Sequence, residues 1–100
     1  MRGRIDIIAT VRLYTTEEGG RKGPTPSDVF RCPLEFEGEL FDCGLYLDES
    51  GPLAPGAEAT VPIVFLFPEY VKPRLSVGSR FTLWEVGTIG EGVVDQILPE

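Results

Sequence analysis

Apolar residues recur at every second position through much of this 100-residue chain, and clusters of turn-forming residues interrupt them. Ile5, Ile7, Ala9, Val11 and Leu13 alternate with Asp6, Ile8, Thr10, Arg12 and Tyr14, the period of a strand with one face buried. Leu34, Phe36 and Leu40 alternate with Glu35, Glu37 and Glu39, after which the apolar positions become Phe41, Cys43, Leu45 and Leu47. A slip of one residue marks a turn or a bulge, and Gly38 and Gly44 are its candidate places. Residues 59–67 are apolar on both faces, and Phe81–Val86 and Ile89–Leu98 supply the last two strands, joined at Gly87-Thr88. No window of eleven residues keeps the spacing of an amphipathic helix without a Pro or Gly inside it.

The chain therefore reads as all-β. Turn signals at Glu18-Gly-Gly-Arg21, Gly23-Pro24, Glu49-Ser-Gly-Pro52, Ala54-Pro-Gly56 and Ser76-Val-Gly78 separate its strands, a pattern of sandwiches and small barrels. A small closed antiparallel barrel of about six strands is the expectation, because closure removes exposed sheet edges. Residues 1–100 form one domain in this reading, since no repeat, linker or low-complexity tract divides them. With 42% hydrophobic residues, one core forms without help from metal or disulfide.

Composition narrows the function. There is no histidine, which removes the commonest general base, the commonest zinc ligand and every Ser-His or Cys-His nucleophile pair. Neither catalysis, a cofactor nor a metal site is expected. The strongly apolar run Val61-Pro-Ile-Val-Phe-Leu-Phe67 is seven residues long, against roughly 20 for a membrane helix. Met1-Arg-Gly-Arg-Ile-Asp6 is not followed by the apolar stretch of a secretory signal, so no membrane association and a cytoplasmic location are expected. The net charge of −7 is uneven: residues 1–31 carry six basic and four acidic side chains, residues 32–100 three and twelve.

Four stretches carry candidate chemistry. In residues 17–26, Gly19-Gly20 permit positive φ and close approach, while Arg21 and Lys22, joined by Arg31, present donors suited to phosphate or carboxylate. One reading is an RNA or acidic-partner contact; the other is a glycine-driven turn with Arg21 paired to Glu17 or Glu18. A two-residue turn at Glu37-Gly38 would place Cys32 opposite Cys43, within disulfide range. The phase slip argues against so regular a ladder, and reduced thiols are expected. Glu35, Glu37 and Glu39 fall on one strand face about 7 Å apart, a solvated face or an acidic surface for a basic partner. In the apolar run, Val61, Ile63, Phe65 and Phe67 share the inner face. Val64 and Leu66 point outward, with Tyr70 and Trp84 adding to the same surface. Such a surface marks partner binding or self-association, unless residues Pro68–Val77 fold over it.

Three motifs carry a family resemblance. Thr15-Thr-Glu-Glu-Gly-Gly-Arg-Lys-Gly-Pro24 closing the first strand resembles the start of the third, C-terminal β-barrel domain of bacterial elongation factor Tu. Leu53-Ala-Pro-Gly56 is similar to that family's Met-Pro-Gly turn. Ser79-Arg-Phe-Thr-Leu-Trp-Glu-Val-Gly-Thr-Ile-Gly-Glu-Gly-Val-Val94 is similar to its closing hairpin. The resemblance runs from about Ile5 to Leu98 and implies a translation-associated barrel standing alone. No Gly-x-x-x-x-Gly-Lys-[Ser/Thr] loop is present, so nucleotide binding is not expected. Where the family has Arg-Pro-Gln-Phe on its tRNA-facing surface, this chain has Phe30-Arg-Cys-Pro-Leu-Glu-Phe36. The leading expectation is a non-enzymatic protein-interaction module using Val64, Leu66, Tyr70 and Trp84 with Glu35 and Glu37. The alternative is an RNA- or tRNA-binding protein using Arg21, Lys22 and Arg31, which requires steep salt dependence and works against the acidic total.

Overall fold

Glu37 and Gly38 set the register of half the sheet. Both have positive φ, 52° and 82°, the backbone that a two-residue type I′ turn demands. The turn joins β2 (Val29–Phe36) to β3 (Glu39–Tyr46). Phe36 then faces Glu39, Leu34 faces Phe41, Cys32 faces Cys43 and Phe30 faces Leu45, without a break. The expected disruption of this ladder is thus corrected. A two-residue turn sets even positions of one strand against odd positions of the next, so the phase slip is the register itself. Pro33 falls opposite Asp42, a pair whose N–H groups point away from each other, so its missing donor costs no rung with β3; on its other flank the pairing of β2 with β5 stops at Leu34. Leu40, assigned to the buried set by alternation with Phe36, lies beyond the turn and points outward.

The computed structural model describes residues 3–99. The remaining strands are β1 (Ile7–Leu13), β4 (Glu58–Phe65), β5 (Arg80–Trp84) and β6 (Thr88–Ile97). The six close into an antiparallel barrel in the order β1-β4-β3-β2-β5-β6, as the alternation predicts. This order places β1 opposite β2, and β4 opposite β5, across the ring. Residues 14–28 must therefore cross one mouth of the barrel and residues 66–79 the other. The second crossing holds α1 (Pro68–Val71) and a 3-10 turn at Lys72–Arg74, and it turns Val71 and Leu75 into the core. The first buries Thr25, whose N–H donates to the Leu53 carbonyl and whose hydroxyl accepts the Leu53 N–H at 2.9 Å.

Inside, β6 offers glycine where its neighbours offer bulk. Gly90 faces Leu13 and Leu83, and Gly92 faces Val11 and Phe81. A Cβ on Gly92 would lie on the Phe81 ring carbons, so the glycine is what lets Phe81 fill the interior. Asp6, on the polar side of the first alternation, is fully buried because it precedes β1 and turns in at the mouth. Replacing Gly92 with Ala should destabilise the barrel by about 1–3 kcal/mol, the usual cost of overfilling a packed core. Chemical denaturation of the two proteins measures it, and equal midpoints would contradict this packing.

Candidate functional site

The outward-facing apolar residues gather where β4 stops. The strand ends at Phe65, and its last contact with β3 is the bond from the Leu66 N–H to the Asp42 carbonyl, 3.0 Å. Pro68 follows two residues later, lacking a donor and restricting Phe67. Phe67, expected inside with Val61, Ile63 and Phe65, is instead carried out of the barrel. Its ring lies 6.1 Å from that of Tyr70 on α1. Leu40 is 51% exposed, Leu66 59%, Phe67 54% and Tyr70 66%. A groove of about 270 Å³ runs between Leu40, Phe41, Phe67 and Tyr70, with Glu39 and Asp42 at its rim.

Of the apolar residues picked out by sequence, Tyr70 lines this groove, while the exposed Leu66 lines a neighbouring depression with Arg31, Cys32, Pro33, Asp42 and Cys43. Val64 faces outward but is half-buried, paired with Gly44 in the β3–β4 ladder. Trp84 ends β5, on the opposite side of the ring from β4, and is not part of this surface. Leu40 and Phe67 belong to it and were missed. The parity rule of the 37–38 turn would have found Leu40, and Pro68 would have found Phe67. The segment 66–79 leaves the surface open because it spends Val71 and Leu75 on closing the mouth.

The acids do not form one strand face, which corrects that expectation. Glu35 lies on β2 and accepts the Thr82 hydroxyl at 2.9 Å. Glu37 sits in the turn, Glu39 starts β3, and Arg74 bridges both at 3.0 and 2.9 Å. The same guanidinium lies over the Phe36 and Phe41 rings at 5.8 and 5.4 Å. Glu35 and Glu37 line a second depression, about 530 Å³, over β1, β6 and β5, together with Arg12, Arg80 and Glu91. Arg12 is matched there by Glu18 at 3.1 Å and Glu91 at 3.7 Å.

The basic loop is built from local bonds. The Thr15 hydroxyl accepts the Glu18 N–H at 3.1 Å, and the Glu18 carboxylate accepts the Thr15 N–H at 2.8 Å, a reciprocal capping box. The Thr15 N–H, then Arg12, hold the Glu18 carboxyl below its usual pKa. Gly20 packs on the Tyr14 carbonyl with no room for a Cβ. Arg21 pairs with Glu85 at 2.7 Å, and not with Glu17 or Glu18. It also donates to the Gly23 and Pro24 carbonyls and lies 5.1 Å over Phe30. Its guanidinium is committed to the fold. Lys22 and Arg31 are exposed.

Cys32 and Cys43 face each other as free, buried thiols, and the Cys43 thiol donates to the Cys32 carbonyl at 3.2 Å. Hydrogen bonding with the Cys32 side chain, then burial, pushes the Cys43 thiol well above its ordinary pKa. Among the described residues no three Cys, Asp or Glu side chains assemble as a metal site. No described helix is long and apolar enough to cross a membrane. No protein-family model and no curated protein matches the sequence. Buried, protonated thiols react slowly. A thiol reagent should therefore label neither cysteine in the native protein and both in denaturant, and fast native labelling would contradict the burial.

Proposed function

We propose that this chain is a cytoplasmic, non-enzymatic protein-interaction module that docks a partner on the surface formed by Leu40, Leu66, Phe67 and Tyr70. One observation carries the reading: Leu40, Phe67 and Tyr70, each more than half exposed, line one groove, and the exposed Leu66 precedes Phe67 in the chain. Surfaces of this kind, rimmed by polar residues, mark interaction sites on small proteins. The six-stranded barrel is compatible with the resemblance to the third domain of elongation factor Tu. In that form of the proposal the chain engages something that otherwise binds the factor. The commitment of Arg21 to Glu85 and Phe30 favours a protein partner over RNA, because it takes the central cation of the basic loop out of service.

The test is capture of partners from host lysate with the wild-type protein and with a Leu66→Asp/Tyr70→Asp double variant, washing at low and high salt. The wild type should retain a protein partner through high salt, and the variant should lose it while keeping the β-rich circular dichroism spectrum. Unchanged capture by a folded variant would overturn the reading. So would recovery of RNA alone, released by salt as phosphate contacts require.

A further inference from the structure

β3 continues past its last partner. Its ladder with β4 spans Cys43–Leu45, and the bond from the Leu66 N–H to the Asp42 carbonyl adds a final rung. Glu39–Phe41 extend beyond it, and no strand of the described residues lies on that side. The two-residue turn makes Phe36/Glu39 and Leu34/Phe41 the bonded pairs of the hairpin. The intervening pair, Glu35/Leu40, is the non-bonded kind, so the N–H and C=O of Leu40 point away from β2. They face the flank that holds the groove lined by Leu40, Phe67 and Tyr70.

We propose that this groove takes an extended, basic segment of a partner protein, which pairs with β3 at Leu40 and lays apolar side chains on Leu40, Phe67 and Tyr70. The inference rests on the surface being a docking site and adds the chemistry of its occupant. Strand addition supplies main-chain bonds, and alternate side chains supply selectivity. The charge of the rim selects the sign. Glu39 and Asp42 line the groove, Glu69 adjoins Tyr70, and neither Asp42 nor Glu69 is in an ion pair with any described residue. A chain of net charge −7 with acids at an open strand flank repels a second copy of itself. The same acids attract lysine and arginine.

The test is fluorescence anisotropy of the full chain with two dye-labelled decapeptides, one of alternating Lys and Val and one of alternating Glu and Val. The Lys-Val peptide should bind saturably, more weakly as salt rises, and the Glu-Val peptide about tenfold more weakly or worse. Leu40→Pro removes an N–H that bonds to none of the described residues, at the kind of open flank where strands accept proline. It should weaken Lys-Val binding about tenfold, the scale of one hydrogen bond left unmade, whereas Leu40→Ala should cost less. If Leu40→Pro fails to fold, Asp42→Lys replaces it and should erase the preference for the basic peptide. No binding, equal binding of both peptides, or indifference to these variants overturns the proposal, as does a dimer that Leu40→Pro dissolves. A captured partner lost from the Leu66→Asp/Tyr70→Asp variant but kept by Leu40→Pro and Asp42→Lys would overturn strand pairing alone and leave the docking surface standing.

Discussion

A single buried carboxylate decides where this barrel ends. Asp6 is fully shielded from water. Its Oδ2 accepts the Phe65 N–H at 2.8 Å, and its Oδ1 faces Arg4 at 3.0 Å and Lys72 at 3.6 Å. Its backbone N–H donates to the Ile63 carbonyl, and its carbonyl accepts the Leu98 N–H, both at 2.9 Å. Lys72 returns to the Leu98 carbonyl at 2.7 Å and Arg4 to the Phe65 carbonyl at 2.6 Å. The residue thus joins the start of β1, the end of β4, the end of β6 and the second crossing. A charge in the interior is tolerated only with such partners. Because the Asp6 carboxylate takes the Phe65 N–H, β4 ends its pairing with β1 there, while Leu66 makes one further bond to β3 and Phe67, held by Pro68, leaves the sheet.

The strand order then dictates how the cations are used. Two connections cross the mouths, and each is fastened by an arginine that stacks on aromatic rings while pairing with acids. Arg21 lies over Phe30 and pairs with Glu85; Arg74 lies over Phe36 and Phe41 and pairs with Glu37 and Glu39. The planar guanidinium suits this double duty, one face on a ring and its edge on a carboxylate. Arg4 and Lys72 are taken up by Asp6, and Arg12 by Glu18 and Glu91. Lys22 and Arg31 remain exposed, and Arg31 lines the depression that also holds Leu66 and Asp42. The groove beside Leu40 is lined by Glu39 and Asp42, the first of them paired with Arg74.

Local pattern revealed the fold because local pattern causes it. Alternation gave the strands, but the facing of Cys32 and Cys43 across the Glu37-Gly38 turn ran against expectation, because the change of phase at Phe41 looks like a break and is in fact the hairpin register. The candidate surface was only half visible. Leu66 and Tyr70 stood out as apolar residues with no inner place, but Leu40 was grouped with Phe36 by counting through the turn rather than across it. Phe67 was counted as a strand residue, although Pro68 and the bond from Leu66 to Asp42 end the strand before it. Arg21 was matched to neighbours in sequence, whereas its carboxylate, Glu85, lies 64 residues away. Contacts set by closure of the ring carry no local signature, and neither does the placement of Trp84 across the barrel from Leu66.

The central claim is that recognition happens on the flank of β3 beyond Asp42. Amide hydrogen exchange, compared between the free protein and its complex with a captured partner, tests it most directly. The account predicts new protection concentrated at Leu40 and at Leu66–Tyr70, with the barrel interior unchanged. Protection confined to Arg21–Arg31, or to the depression around Thr10, Glu35 and Arg80, would place recognition elsewhere and contradict it.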